Sequence, residues 1–441
     1  MREMKDSGIE WIGEIPSEWQ IIRFRFFIED YKAGPFGSSL KMDGLLSEGD
    51  ILVYAPEHIA NNSTESDKNL YLPNEREGEM SQFLVEEGDI LFPIVGSLGR
   101  AMMIDASMPK GIINQRVAKF KLNNSIISTR YFMRLFANSN FFDTYIDLSC
   151  RGSFIVNLTK GIINDAPCVV PDMETQEYIA DYLDDKCSKI DSIIEKQQKI
   201  IEKLKEYKLS IITEAVTKGL NPDAELKDSE IEWIGEMPIT WKKARIKFNY
   251  YLKGRIGWQG LKANEFIEEG PYLVTGTDFC NGKVNWSTCY HISQERFDEA
   301  PEIHVKKGDL LITKDGTVGK VAYIDEKPEQ VSLNSHLLIM RPLVYDYSNR
   351  FLFWVIQSNV FKKYFGLTQY GTIMASLSQE KINDFSYVMP SVDEQIHIAN
   401  YLDEKCEEIQ ESIYKRERII EQLRAYKKSL IYEVVTGKKE V

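Results

Sequence analysis

The chain has 441 residues, 43% hydrophobic and 11% aromatic, enough apolar side chain to bury more than one core without a metal or disulfide. A formal net charge of −13 and a pI near 5.2 exclude an indiscriminate nucleic-acid binder, which reads as a basic domain, but not a recognition subunit whose partners share the phosphate clamp. No apolar run approaches the ~18 residues of a membrane span and the N-terminus carries no signal-like core, so a cytoplasmic protein with no membrane partner is expected.

The first element along the chain is one that returns. Residues 6–19 reappear as residues 228–241, changing only at Gly8/Glu230, Ile15/Met237, Ser17/Ile239 and Glu18/Thr240. A match of this length does not arise twice by chance, and its offset of roughly 220 residues is that of a domain plus a helix, not of a solenoid unit. The chain is therefore two tandem copies of one module. Each reads as mixed α/β, with short β-rich runs at 51–54, 89–92 and 310–313, and helices over 129–142 and 349–365.

Within the modules, Gly88-Asp89-Ile90-Leu91 matches Gly308-Asp309-Leu310-Leu311, and Gly96-Ser97-Leu98-Gly99 matches Gly316-Thr317-Val318-Gly319. Asp89 and Asp309 each follow a glycine, where a carboxylate caps its own turn. Residues between these landmarks diverge freely, as expected of one frame presenting different surfaces.

From about 175 to 217 the chain lacks Gly and Pro. Ile179, Leu183, Cys187, Ile190, Ile194, Ile201, Leu204, Ile211 and Ala215 form a heptad seam interrupted by Gln197 and Lys208. The second copy gives Ile398, Leu402, Cys406, Ile409, Ile413, Ile420, Leu423, Leu430 and Val434, interrupted at the matching Arg416 and Lys427. Coincident interruptions predict that the two helices, each roughly 60 Å long, pair with each other. Only about ten residues join the first helix to the next module, a reach of ~35 Å, so antiparallel pairing is expected.

Motifs for catalysis are missing: there is no phosphate loop, dinucleotide fingerprint, Gly-x-Ser-x-Gly elbow or His-Glu-x-x-His helix. None of His58, His291, His304, His336 and His397 has a counterpart in the other copy. Cys150, Cys168, Cys187, Cys280, Cys289 and Cys406 form no Cys-x-x-Cys pair, and Cys187 and Cys406 fall at equivalent apolar helix positions, which predicts a core role rather than zinc. The expectation is a non-enzyme with no cofactor, metal or catalytic residue.

What remains is a set of polar, glycine-punctuated loops at matched positions: 34–41 against 254–262, 96–100 against 316–320, 114–116 against 334–336, and 151–153 against 370–372. Glycine admits close backbone approach, lysine and arginine meet phosphate, and polar side chains read base edges. The candidate DNA contacts are Ser38, Ser39, Lys41, Ser97, Arg100, Gln115, Arg116, Arg151 and Ser153 in the first copy. In the second they are Arg255, Trp258, Gln259, Lys262, Thr317, Lys320, Ser335, His336, Tyr370 and Thr372. Arg100 and Lys320 are the expected phosphate contacts.

The repeated opening, the Gly-Asp-Ile/Leu-Leu…Gly-x-x-Gly core, and Pro171…Gln176…Ile179-Ala180-x-Tyr182-Leu183-Asp184, repeated as Pro390…Gln395…Ile398-Ala399-x-Tyr401-Leu402-Asp403, resemble the DNA specificity subunit of type I restriction-modification enzymes over nearly the whole chain. The resemblance implies two target recognition domains (1–171 and 228–390), each reading one half of a bipartite, asymmetric site on double-stranded DNA. Two long spacer helices (172–217 and 391–436), with a linker at 218–227, would pair as an antiparallel coiled coil with approximate two-fold symmetry. They would dock two methyltransferase (modification) subunits, with restriction and translocase subunits joining through the complex of a bacterial or archaeal cell. Two other readings stay open: the recognition module of another defence or nuclease assembly, and a coiled-coil adaptor that binds no DNA.

Overall fold

The computed structural model describes residues 2–36, 40–41, 44–96, 98–136, 140–150, 158–255, 261–315, 318–344, 346–368 and 377–441. The chain divides into two compact units, Met1–Gln197 with Arg418–Val441, and Gln198–Glu417. No described helix is long and apolar enough to cross a membrane.

In the first unit the strands, in chain order, are β1 (Met4–Asp6), β2 (Glu14–Pro16), β3 (Gln20–Arg23), β4 (Ile28–Ala33), β5 (Ile51–Tyr54), β6 (Tyr71–Leu72), β7 (Ile90–Pro93), β8 (Met102–Met103), β9 (Gly111–Ile113), β10 (Val117–Leu122) and β11 (Pro167–Val170). They form a sheet of order β4-β10-β7-β8, a second of order β6-β5-β9, and the pairs β1-β2 and β11-β3. In the second unit they are β12 (Leu226–Asp228), β13 (Glu236–Pro238), β14 (Lys242–Arg245), β15 (Tyr250–Gly254), β16 (Ile267–Val274), β17 (Phe279–Cys280), β18 (Lys283–Val284), β19 (Tyr290–His291), β20 (Leu310–Thr313), β21 (Val321–Tyr323), β22 (Val331–Leu333), β23 (Leu337–Pro342) and β24 (Ser386–Met389). The same sheets recur as β15-β23-β20-β21, β19-β16-β22, β12-β13 and β14-β24, and β17-β18 makes a further hairpin.

The apolar runs after each Gly-Asp turn are continuous because both faces of their sheet are covered. Ile90 and Phe92 point into a core built around Phe24, Phe120, Phe132, Phe136 and Phe142, while the intervening Leu91 points into a second core with Ile51, Tyr54 and Ile112. Leu310 and Ile312 likewise enter one core of the second unit and Leu311 the other. Asp89 accepts from Glu86 N at 2.8 Å and from Lys119 Nζ at 2.8 Å. Asp309 accepts from Lys306 N at 2.5 Å and from the Arg341 guanidinium at 2.6 and 2.8 Å. Both carboxylates cap the turn and pair with a cation from the neighbouring strand.

The two segments expected to be helical each hold residues of two helices. Residues 129–142 contain the helix Thr129–Phe136 and the start of Asn140–Ser149. Over 349–365 the helices Asn349–Gln357 and Asn359–Thr368 are separated by Ser358, whose extended backbone (φ −76°, ψ 169°) ends the first. Its hydroxyl donates to Val355 O at 2.6 Å and accepts from Val360 N at 3.2 Å, satisfying groups that a continuous helix would have paired.

The long helices are Met173–Lys218 and Val392–Val435. Asp172 caps the first, accepting from Thr175 N at 3.0 Å. A buried glutamine fixes each helix to its module. Gln176 donates to Ile126 O and Pro171 O and accepts from Ser128 N; Gln395 donates to Asp346 O and Pro390 O and accepts from Ser348 N. About two helical turns further on, Asp184 pairs with Arg130 and Arg134, and Asp403 with Arg350 and the Trp354 indole.

Within each unit the two helices run antiparallel. In the first, Tyr131 Oη donates toward both Val169 O and Val435 O, setting the end of the second helix beside the start of the first, and Lys427 reaches Asp191 further along. In the second, Gly219 lies beside Glu394, and Lys208 reaches Gln410. Leu430, Ile431, Val434 and Val435 complete the core of the first unit; Ile212, Ala215 and Val216 complete that of the second. Ile211, expected in the seam, is half-buried, and Ile212 takes the inward place because the helix end there packs on its module as well as on its partner helix. Cys187 and Cys406 are buried in these cores, and burial pushes both thiols up, Cys406 to about 11.

Candidate nucleic-acid interface

The matched polar loops rest on one backbone frame, present once in each unit. In the first, Asn114 N donates to Tyr54 O at 3.0 Å, and the Asn114 side chain accepts from Arg116 N at 2.8 Å, closing an Asx turn before β10. Ile94 N donates to Arg116 O at 2.9 Å and Leu158 N to Ile94 O at 2.9 Å. In the second, Asn334 N donates to Val274 O at 2.9 Å and its side chain accepts from His336 N at 3.0 Å, while Lys314 N donates to His336 O and Leu377 N to Lys314 O, each at 2.9 Å. Identical hydrogen bonds thus hold Gln115-Arg116 in one unit and Ser335-His336 in the other.

Around Gln115 and Arg116 the loops converge. Gly34 N donates to Val117 O at 2.9 Å, and a Cβ at Gly34 would stand 1.7 Å from Asn114 O, so only glycine lets the two segments meet. Gln115 Nε2 donates to Leu40 O at 3.0 Å, which brings the exposed Lys41 alongside. Gln115 and Arg116 are exposed and line, with Gly96, Lys68 and His58, a cavity of about 570 Å³. His58 itself is fixed: Nδ1 accepts from Ala55 N at 2.9 Å, so Nε2 carries the proton toward Asn69 Oδ1 at 2.8 Å.

In the second unit His336 is exposed and its Nδ1 lies 3.3 Å from Asp315 Oδ2. Ser335 is half-buried, its hydroxyl 3.3 Å from Asn334 Oδ1. Lys262 is exposed, with its backbone N donating to Glu265 Oε2 at 2.7 Å.

Three of the candidate contacts are placed differently. Arg255 is 3% exposed: Nε donates to Leu333 O at 3.0 Å and a terminal nitrogen to Ser332 Oγ at 2.9 Å. Its burial, with Arg296 close by, pulls its pKa down. Arg255 itself fastens the chain just after β15 to β22, and its side chain is not at the surface. Arg100 is exposed but lines a separate cavity of about 640 Å³ with Asn61, Arg130 and Asp184. Lys320 is exposed at another, of about 600 Å³, with Asn281, Gln357 and Lys362. Neither cavity is lined by the Asn-centred turns. Ser38, Ser39, Ser97, Arg151, Ser153, Trp258, Gln259, Thr317, Tyr370 and Thr372 lie outside the described residues.

Lys68 and Asp315 join the set by geometry. Asp315 could have been found from its place beside Gly316 in a matched loop, whereas Lys68 stands in a stretch with no counterpart signal. Among the described residues no group of three or more His, Cys, Asp or Glu could hold a metal ion.

The family profile "Type I restriction modification DNA specificity domain" matches residues 37–206 and again 257–417. The type I restriction enzyme MjaVIII specificity subunit of Methanocaldococcus jannaschii is 24% identical, over 96% of this chain and 93% of that protein. The EcoBI specificity subunit of Escherichia coli is 20% identical, over 73% of this chain and 68% of that protein. The fold is also that of a solved chain from work on complex assembly and conformational transition of a type I R-M system, with a TM-score of 0.70, 13% identity, and coverage of 96% of this chain and 99% of the other.

Proposed function

We propose, from the premise that this chain belongs to the family of type I restriction modification DNA specificity domains, that it reads the DNA sequence for a type I restriction-modification system, one half-site per module. The observation that carries the division of labour is the shared frame with different occupants: the same hydrogen bonds present Gln115-Arg116 in one unit and Ser335-His336 in the other. An amide or guanidinium and a hydroxyl or imidazole offer different donor and acceptor patterns to base edges.

On this reading residues 1–171 and 228–390 are the two recognition domains and the long helices are the spacer that docks modification subunits, one for each module. Methyl transfer and ATP-driven movement belong to the modification and restriction subunits, and this chain supplies recognition alone. Phosphate contacts would come from exposed cations around the turns, Lys41, Lys68 and Lys262, with part of the clamp supplied by the partners, in keeping with the net charge of −13. The test is domain replacement. With residues 1–171 exchanged for another recognition domain, methylation mapping should show one half of the motif changed and the other kept; a change in both halves overturns the modular reading.

A further inference from the structure

Phe26 and Phe248 are 64% and 68% exposed. They occupy the same place in the two units, three residues after β3 and β14 respectively have ended at Arg23 and Arg245, in short helical turns. Neither ring is exposed through looseness of its turn. Phe24 and Ile246 are each 0% exposed, Phe24 N donates to Ala166 O at 3.0 Å, and Ile246 N donates to Phe385 O at 3.1 Å.

In each unit the residues just before the ring in sequence belong to a cluster of two cations and one carboxylate. In the first unit Arg25 and Arg23 share Asp165, Arg23 at 3.6 Å. In the second Arg245 and Lys247 share Asp384 at 3.9 and 3.7 Å, and Lys247 Nζ stands 5.0 Å from the Phe248 ring centroid. All of these charged side chains are about half exposed, and each cluster is left with one positive charge in excess on a chain of net charge −13.

The place of the patch separates it from the base-reading turns. Phe26 precedes β4 and the polar loop follows it; Phe248 precedes β15 in the same way, so roughly 15 to 20 Å of strand lies between ring and loop. The opposite end of each module is where its long helix starts: Asn123 N donates to Phe27 O at 2.8 Å and Leu343 N to Asn249 O at 2.9 Å, and Gln176 and Gln395 hold the helices just beyond. The turns that would read DNA differ between the copies, whereas this aromatic-cation-carboxylate group is kept in both. A surface kept while the reading loops change meets the same ligand twice, and an exposed phenyl ring with a cationic collar suits a protein pocket rimmed by carboxylates better than a phosphate backbone.

We propose that Phe26 with Arg23 and Arg25, and Phe248 with Arg245 and Lys247, are two equivalent docking points, one per unit, for the same face of a modification subunit. The proposal rests on the reading above that such subunits are partners.

The test titrates the full-length chain with the purified methyltransferase subunit of its own system by calorimetry, as wild type, Phe26→Ser, Phe248→Ser and the double variant. Both substitutions are at exposed positions, and unchanged melting curves verify the fold. Each single variant should weaken one of two sites by roughly tenfold or more, the scale of an interface aromatic anchor, and the double variant both. Arg25→Glu and Lys247→Glu should weaken binding too, with the loss shrinking at high salt. DNA affinity of the free chain should not move. Wild-type affinity at both sites in the double variant overturns the proposal, as does a loss confined to DNA binding or to self-association of the chain. A wild-type chain that takes up no methyltransferase subunit overturns the partnership itself, and the proposal with it.

Discussion

Lys427 holds both carboxylate oxygens of Asp191, at 2.7 and 2.6 Å. In the other unit Lys208, its counterpart by the repeat, donates to Gln410, the counterpart of Asp191, at 3.2 Å. The lysines that interrupt each apolar seam therefore meet the equivalent polar residue of the partner helix, and the pairing register is fixed at a place where apolar side chains alone would tolerate a slip. Asp191→Ala should lower stability by ~0.5 to 1 kcal/mol in urea unfolding, with the difference shrinking in 1 M salt. A loss insensitive to salt would mean that the carboxylate acts by packing and not by charge.

The buried glutamines should matter more than this ion pair. Gln395→Met keeps the volume but strands Ser348 N, Asp346 O and Pro390 O without the amide that now satisfies them. Desolvated backbone groups left unpaired should cost at least ~2 kcal/mol, and Gln176→Met should do the same in the first unit. Urea midpoints for the two variants would measure it; losses below 0.5 kcal/mol, far under the ~2 kcal/mol expected, would show that water replaces the amide.

Gly8 and Glu230 fill the same position of the repeated opening, at φ +74° and +54°. Nothing lies within 4 Å of a Cβ at Gly8, so Gly8→Ala should cost ~1 kcal/mol through the backbone alone. Glu230→Gly should recover less than that, because it gives up the ion pair with Lys243 and loosens the unfolded chain. Equal and opposite changes in unfolding free energy would contradict this.

Asp184 supplies a pH dependence. Partial burial opposes its ionisation, but Arg130 and Arg134 prevail and hold the carboxyl below its ordinary 3.8. A carboxylate depressed in the folded state contributes stability that is complete above the unfolded value and fades as pH falls through the lower folded one. Wild type and Asp184→Asn should therefore differ at pH 7 and converge below the ordinary 3.8. A gap that persisted in acid would place the effect in hydrogen bonding rather than charge.

Much of this architecture is legible in the sequence because it is written by backbone needs and by repetition. The Gly-Asp turns, the seam lysines and the glutamine at each helix start recur, and recurrence separates them from chance. Arg255 is not legible: a charged residue beside glycine reads as exposed, and the acceptors that bury it, Ser332 and Leu333, come 77 and 78 residues later. The break at Ser358 is hidden for a similar reason, since an apolar run of helical period continues on both sides of it. Arg100 and Lys320 are matched in sequence yet line cavities of their own, Arg100 with Arg130 and Asp184 and Lys320 with Gln357 and Lys362, residues distant in sequence. Loop composition shows that a surface is polar but not which side of the module it is on.

The most direct test of the account is the methylated motif produced in a host carrying the complete system with either Gln115→Ala and Arg116→Ala together, or Ser335→Ala and His336→Ala together. The account predicts that the first pair relaxes or alters bases in one half of the motif and leaves the other half and the spacing intact, and that the second pair does the converse. Changes in both halves from either pair, or an unaltered motif from both, would contradict the claim that these two turns are the readers.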